Sequence, residues 1–296
     1  MSSGYRPRGM SMWDTWFIEH KGEAHMFHLQ RLAPNSDRKP FEEDWIGHAV
    51  SKDLVHWQEC PLAFGPGPSG SQDDMQPWTG CVVASEGRFY LYYTMRSSLE
   101  KGRTQWIGLM ISDDLYHWER FAGNPVMVPD SRLYVGIENP MPRNKVDCRD
   151  LLAVRDPLTG GWVGFHAACI HAEEEAESAV IAAARSNDLI HWEYLPPAWA
   201  PGHSGEIEVP DVFQLGGRWY MTVLSSRGHG NRGNFSDPNI VVGTMYAVSN
   251  SLTGPYREIP GDNVLMGGDS SSGFSCRSIL FDSKRYVFYH QPNFRS

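Results

Sequence analysis

The chain lacks an apolar run long enough to cross a bilayer, which removes membrane-spanning helices from consideration. It is short of cations, with 26 Lys and Arg against 35 Asp and Glu and a net charge of −9, so neither nucleic acid nor an anionic membrane is expected as a partner. The first residues, Met1-Ser-Ser-Gly-Tyr-Arg-Pro-Arg-Gly9, have no apolar core of a signal peptide. Cysteine is scarce: Cys60, Cys81, Cys148, Cys169 and Cys276 are odd in number and scattered, the pattern of buried thiols and not of a disulfide framework, so a cytoplasmic protein is expected. Helical patterning is confined to His171–Val180, whose charge run reads as a solvated loop or helix face. His25 with His28, and Cys169 with His171, lack the second close pair a tetrahedral metal site needs. No metal and no cofactor are expected. Gly228-His-Gly-Asn-Arg-Gly233 has the letters of a dinucleotide fingerprint but runs into Asn234-Phe-Ser-Asp-Pro238, which cannot open the required helix. The stretch Ser225–Pro238 reads instead as a long loop that brings Arg227, His229 or Arg232 near a substrate.

What is present is repetition. The heptad Ser-x-Asp-Leu-x-His-Trp occurs at Ser51–Trp57, Ser112–Trp118 and Ser186–Trp192, with a degraded fourth copy at Ser249–Tyr256. The spacing of roughly sixty to seventy-five residues suits a propeller blade. A second repeat runs in phase: a short turn entering an aromatic-rich strand, at Lys21–Phe27, Glu86–Tyr93, Gly160–Phe165, Gly216–Met221 and Ser283–Tyr289. Five copies predict an all-β, five-bladed β-propeller, and the absence of a composition break predicts a single domain over residues 1–296. Unrelated hairpins in a β-sandwich are the competing reading.

In a propeller the innermost strands line a central channel, so equivalent positions meet at one mouth. Counting back eleven positions from His25, Tyr90, Trp219 and Tyr286 reaches Asp14, Thr79, Glu208 and Ser275, and twelve back from Trp162 reaches Asp150. Three carboxylates therefore converge, and their mutual repulsion should raise at least one pKa, as a general acid requires. Two carboxylates flanking a bond, with a third to hold the substrate, is the equipment of glycoside hydrolysis. Trp13, Trp16 and Trp78 lie beside these acids and are candidate sugar platforms, whereas Trp57, Trp118 and Trp192 belong to the repeat and read as blade packing.

These residues resemble a known clan. Gly22–Gln30 and Ile46–Trp57 are similar to the first blade of the family thirty-two glycoside hydrolases, the invertases and levanases. Trp13-Asp14-Thr15-Trp16 resembles the nucleophile motif of family sixty-eight, the levansucrases, and Trp78-Thr79-Gly80 resembles the Trp-Ser-Gly of the clan. Glu206-Ile-Glu-Val-Pro-Asp211 resembles the acid motifs of both families. Departures are the missing Asn-Asp-Pro-Asn-Gly loop, Leu151 in place of proline after Arg149-Asp150, and the missing second domain; Arg155-Asp156-Pro157 is a decoy on a hairpin turn. The resemblance implies Asp14 as nucleophile, Glu208 as acid/base and Asp150 as the residue that holds sugar hydroxyls. It implies Arg149 as a partner to carboxylate or hydroxyl, Gln30, Trp78 and Thr79 shaping the sugar subsite, and Glu206 assisting Glu208. The expected function is retaining hydrolysis of a furanoside carbohydrate, most simply a β-fructofuranoside. An inverting arabinofuranosidase or xylosidase of the family forty-three type, a fructosyltransferase and an inactive sugar-binding propeller are the alternatives. A channel ion, as in family forty-three, would be sought at His290; none is assigned.

The fifth blade is expected to hold strands near Phe274–Phe281 and Lys284–Gln291, with Tyr5–Met12 as an added edge strand. That leaves an edge to cover, and a homo-oligomer packed through blade five is expected to cover it.

Overall fold

The structure, a computed structural model, describes residues 4–139, 145–227, 242–261, 263–268 and 274–290. Four antiparallel four-stranded sheets follow one another along the chain. The first holds β1 (Met10–His20), β2 (Glu23–Leu32), β3 (Gly47–Ser51) and β4 (Gln58–Glu59). The second holds β5 (Trp78–Ser85), β6 (Arg88–Arg96), β7 (Gln105–Ser112) and β8 (Glu119–Arg120). The third holds β9 (Arg149–Arg155), β10 (Trp162–Cys169), β11 (Ala179–Ser186) and β12 (Glu193–Trp199). The fourth holds β13 (Glu208–Leu215), β14 (Arg218–Ser226), β15 (Val242–Ser249) and β16 (Val264–Gly268). A two-stranded sheet, β17 (Phe274–Phe281) with β18 (Lys284–His290), comes last. The protein is an all-β propeller, with four full blades among the described residues where five were expected. β1 packs on β5, β5 on β9 and β9 on β13, while β17 touches both β13 and β1. Aromatic and aliphatic side chains fill the space between neighbouring sheets: Trp16, Phe27, Leu91 and Tyr93 between the first and second, and Phe165, Ile181, Met221 and Val223 between the third and fourth.

Both sequence repeats have a local cause. The hairpin turns Lys21-Gly22, Glu86-Gly87, Gly216-Gly217 and Asp282-Ser283 each place two residues at positive φ, the mirror-image turn whose twist matches that of the strands it joins. The heptad is the corner that ends the third strand of a blade. Ser51, Ser112 and Ser186 each accept the leucine N–H three residues on, at 2.9 Å in all three copies. The Asp accepts the backbone N–H groups two and three residues on and the His Nδ1, and the Leu adopts positive φ while its side chain enters the core. The degraded copy keeps Ser249 as acceptor for Ser251 N–H and buries Leu252 and Tyr256.

Two expectations fail here. The helical patterning over His171–Val180 gives only a 3-10 turn at Glu175–Glu177, because Ala179 and Val180 are already buried in β11. Tyr5–Met12 does not extend the last sheet: Met10–Met12 pair with Gln30–Leu32 inside the first, where Met10 is fully buried. None of the five cysteines is joined to another, and four are buried.

Candidate active site

Every inner strand carries a β-bulge at the same place. In β1 it falls at Asp14, between the pairs Trp13–Leu29 and Thr15–His28. In β5 Thr79-Gly80 oppose one residue, in β9 Asp150-Leu151, in β13 Val209-Pro210 and in β17 Ser275-Cys276. A bulge turns a strand and re-aims a side chain, so each inner strand presents one residue differently from the rest. The bulge in β5 needs its glycine, since a Cβ on Gly80 would lie 1.7 Å from the Tyr92 carbonyl oxygen. Asp150, Val209 and Ser275 adopt positive φ. Asp14, Thr79, Asp150 and Ser275 are thus in register as counted. The fourth blade is corrected by one residue: Val209 holds the equivalent position, and Glu208 precedes it, because Trp219 pairs as Phe89 does and the counterpart of Tyr90 is Tyr220.

Glu208 nonetheless faces the other acids, because Arg149 gathers them. Its guanidinium is 2 % exposed. Arg149 Nε donates to Glu208 Oε1 at 3.2 Å and lies 3.5 Å from Asp150 Oδ2, and Nη2 donates to Glu206 Oε1 at 2.6 Å and Glu208 Oε1 at 2.9 Å. Nη1 donates to Asp147 Oδ1 and, at 3.3 Å, to Gln105 Oε1. Asp14 Oδ2 accepts the Thr79 hydroxyl, and Asp150 Oδ2 accepts the Val209 N–H at 3.1 Å. Thr94 ties strands together by donating to the Thr79 carbonyl at 2.9 Å and accepting the Asp150 N–H at 3.0 Å.

The charges are unequal in environment. Burial pushes the Asp150 carboxyl up to about 7, with Arg149 opposing and the nearby Glu208 and Asp14 adding to the rise. Burial acts on Glu206 as well, but Arg149 and Lys145 overcome it and hold that carboxyl below its ordinary range. His290, at the end of β18, is lowered by burial, against the pull of Asp14. Glu208 keeps a 22 % exposed side chain, whereas Asp150 is 4 % exposed. Of these two acids Glu208 is thus the more open to solvent.

The remaining candidates divide. Trp13 lies beside Asp14 with the Arg31 guanidinium 5.9 Å from its ring. Trp78 precedes Thr79, but the Arg96 guanidinium covers one of its faces at 3.5 Å. Trp16 is not at the site: it is 2 % exposed and stacks on Phe27 in the core, since its position on β1 points between blades. Gln30 is buried and donates to the Glu42 carbonyl at 2.8 Å, so it holds the segment over the end of β2. Asp156 caps its hairpin turn, accepting Leu158 N–H and the Thr159 hydroxyl. His25 meets His48 at 3.0 Å, not His28, and the Cys169 thiol donates to Asp147. Among the described residues no group of three His, Cys, Asp or Glu side chains is arranged to hold a metal ion. The fingerprint-like Gly228–Gly233, with His229 and Arg232, lies outside the described residues. Asp147, Lys145, Thr94 and Arg277 escaped the sequence reading. For Lys145, Asp147 and Arg149 a signal existed: alternate charges two residues apart share one face of an extended segment.

Known proteins resemble this chain in sequence and in fold. The model of the glycosyl hydrolases family 32 N-terminal domain matches residues 15–259. An insoluble-isoenzyme β-fructofuranosidase of Arabidopsis thaliana is 30% identical over 209 residues, covering 66% of this chain and 34% of its own length. The levanbiose-producing levanase of Bacillus subtilis is 27% identical over 206 residues, covering 67% and 34%. The chain thus spans about a third of the length of these relatives. Bacillus subtilis levansucrase shares the fold, with a TM-score of 0.74 at 17% identity, covering 96% of this chain and 80% of that one.

Proposed function

The chain belongs to glycosyl hydrolase family 32, and from that membership and the geometry of its acids we propose that it hydrolyses a β-fructofuranoside with retention of configuration. The observation that carries the reading is the meeting of Asp14, Asp150 and Glu208 around Arg149, Thr79 and the Val209 N–H. Asp14 is the nucleophile, oriented by the Thr79 hydroxyl. Glu208 protonates the leaving oxygen and then takes the proton of the attacking water. Asp150 holds sugar hydroxyls and favours the oxocarbenium-like transition state. Glu206 assists by fixing Arg149, and Trp13 and the open part of Trp78 border the sugar. The sheet β17–β18 is the inner half of a fifth blade; support for this is its place between β13 and β1. The single-domain, cytoplasmic and homo-oligomeric assignments belong to the same proposal, the last resting on the exposed Leu280, Tyr286, Val287 and Tyr289 of β17 and β18.

The test is product analysis by proton NMR with sucrose and levan. β-Fructose should appear first, and Asp14→Asn and Glu208→Gln should each lower kcat by roughly 10²–10⁴-fold with the fold intact. An α anomer first would favour inversion. Trisaccharides in place of fructose would indicate transfer, and sugar binding without turnover an inactive propeller.

A further inference from the structure

The reaction assigned above uses Asp14, Asp150 and Glu208, but the shortest ties of Arg149 include a fourth carboxylate that takes no part. Asp147 is 2 % exposed and accepts from Arg149 Nη1. Lys145 Nζ lies 3.1 Å from Asp147 Oδ1 and 2.7 Å from Glu206 Oε1, and Arg149 Nη2 closes the cycle on that same Glu206 oxygen at 2.6 Å. The result is a ring of alternating charge: Arg149, Asp147, Lys145, Glu206. On the other side of the guanidinium stand Glu208 and Asp150.

We propose that Asp147 is a positioning residue that sets how much of the Arg149 charge is felt by Glu208 and Asp150. An unopposed guanidinium in contact with Asp150 would hold that carboxyl ionised. Asp147 supplies a counter-charge behind the guanidinium and weakens that hold, so a proton can stay on Asp150. Lys145 works in the opposite sense, restoring positive charge to the ring. The other groups around this cluster are Cys148 on the approach to β9, His166 and Cys169 from β10, Gln105 from β7 and Asp14 from β1. The Cys169 thiol donates to Asp147 Oδ2 at 3.4 Å, which fixes the carboxylate without changing its charge. Opposite signs for two neighbouring residues are what a merely structural contact would not produce.

The test is a carboxyl carbon-13 NMR titration of the whole chain, with near-UV circular dichroism to follow the fold. Relative to wild type, Asp147→Asn should move the highest-titrating site carboxyl down by on the order of one pH unit, and Lys145→Met should move it up by a similar amount. Unmoved titrations, or shifts of the same sign, in folded variants would overturn the proposal. Lys145 has a 28% exposed side chain, so its variant supplies one sign on a folded chain, and Asp147→Ser supplies the other should Asp147→Asn fail to fold. The kinetic part rests on the fructofuranosidase reading: the basic limb of kcat/KM should move with the titration. Opposite NMR shifts in a chain that turns over no furanoside would uphold the positioning role and remove the assigned activity; turnover without such shifts would do the reverse.

Discussion

Asp150 illustrates how one residue serves function at a cost to stability. It is buried, at φ +62°, and burial lifts its carboxyl from the ordinary aspartate range to about 7. A carboxyl that binds its proton more tightly when folded contributes stability that is full below the unfolded value and is lost as pH rises through the folded one. The window therefore runs from about pH 4 to about pH 7. Asn tolerates positive φ and can still accept the Val209 N–H, without an ionisable group. Asp150→Asn should thus exceed wild type in stability at pH 7.5 by at least about 1 kcal/mol, with the gap closing towards pH 4, while turnover collapses. Thermal melts across that range would contradict this if the gap were constant. Asp156→Asn, on an exposed turn, should leave turnover unchanged and shift stability by less than about 1 kcal/mol. Equal activity losses in both would mean that the decoy had been misjudged. Asp14 and Asp150 were legible as residues because bulges recur in register. Glu208 was legible by type and neighbourhood, but its register was not, since Val209 takes the bulge.

At the scale of elements, the corner heptad explains its own composition. Its Ser and Asp oxygens accept backbone N–H groups that a turning strand leaves without ladder partners, its His ring holds the Asp carboxylate, and its Leu anchors the corner in the core. Ser112→Ala and Ser186→Ala should each cost about 1–2 kcal/mol in urea unfolding, from two lost hydrogen-bond roles in a nearly buried place. The double variant should show the sum, because the corners lie in different blades. Strong coupling between them would contradict that. The strands and hairpins were legible because aromatic runs between mirror-image turns have few other solutions. The His171–Val180 segment misled because helical composition yields to burial in a sheet once Ala179–Ala184 find neighbours on both faces.

At the scale of the molecule, closure depends on a residue the repeats do not announce. Arg277 of β17 is 2 % exposed and donates to the Pro210 carbonyl of β13 at 2.6 Å and the Gly80 carbonyl of β5 at 3.3 Å. Both carbonyls sit in bulges, where the ladder is interrupted, so one cation satisfies oxygens from two other blades. Arg277→Ala should destabilise by about 3 kcal/mol or more, through lost charged hydrogen bonds and orphaned carbonyls, and Arg277→Lys should recover only part. A loss under about 1 kcal/mol would show that the ring closes without it. For the exposed apolar residues of β17 and β18, sedimentation at micromolar concentration should give a species larger than one chain. A clean monomer would remove the oligomer and leave the catalytic assignment untouched.

The repeating unit, the all-β class and the common register of Asp14 and Asp150 were legible in the chain alone. Each follows from short-range order, because a turn, a strand period or a fixed offset repeats wherever the same residues recur. The packing of distant blades settled that Trp16 is core, that Met10–Met12 stay in the first blade, that Val209 and not Glu208 occupies the fourth bulge, and that Asp147 and Lys145 pair around Arg149 while Arg277 joins β17 to β13 and β5. Those outcomes depend on which charge or ring from a distant blade fills a given space, and the energy of such a contact is carried by a partner that lies far away along the chain.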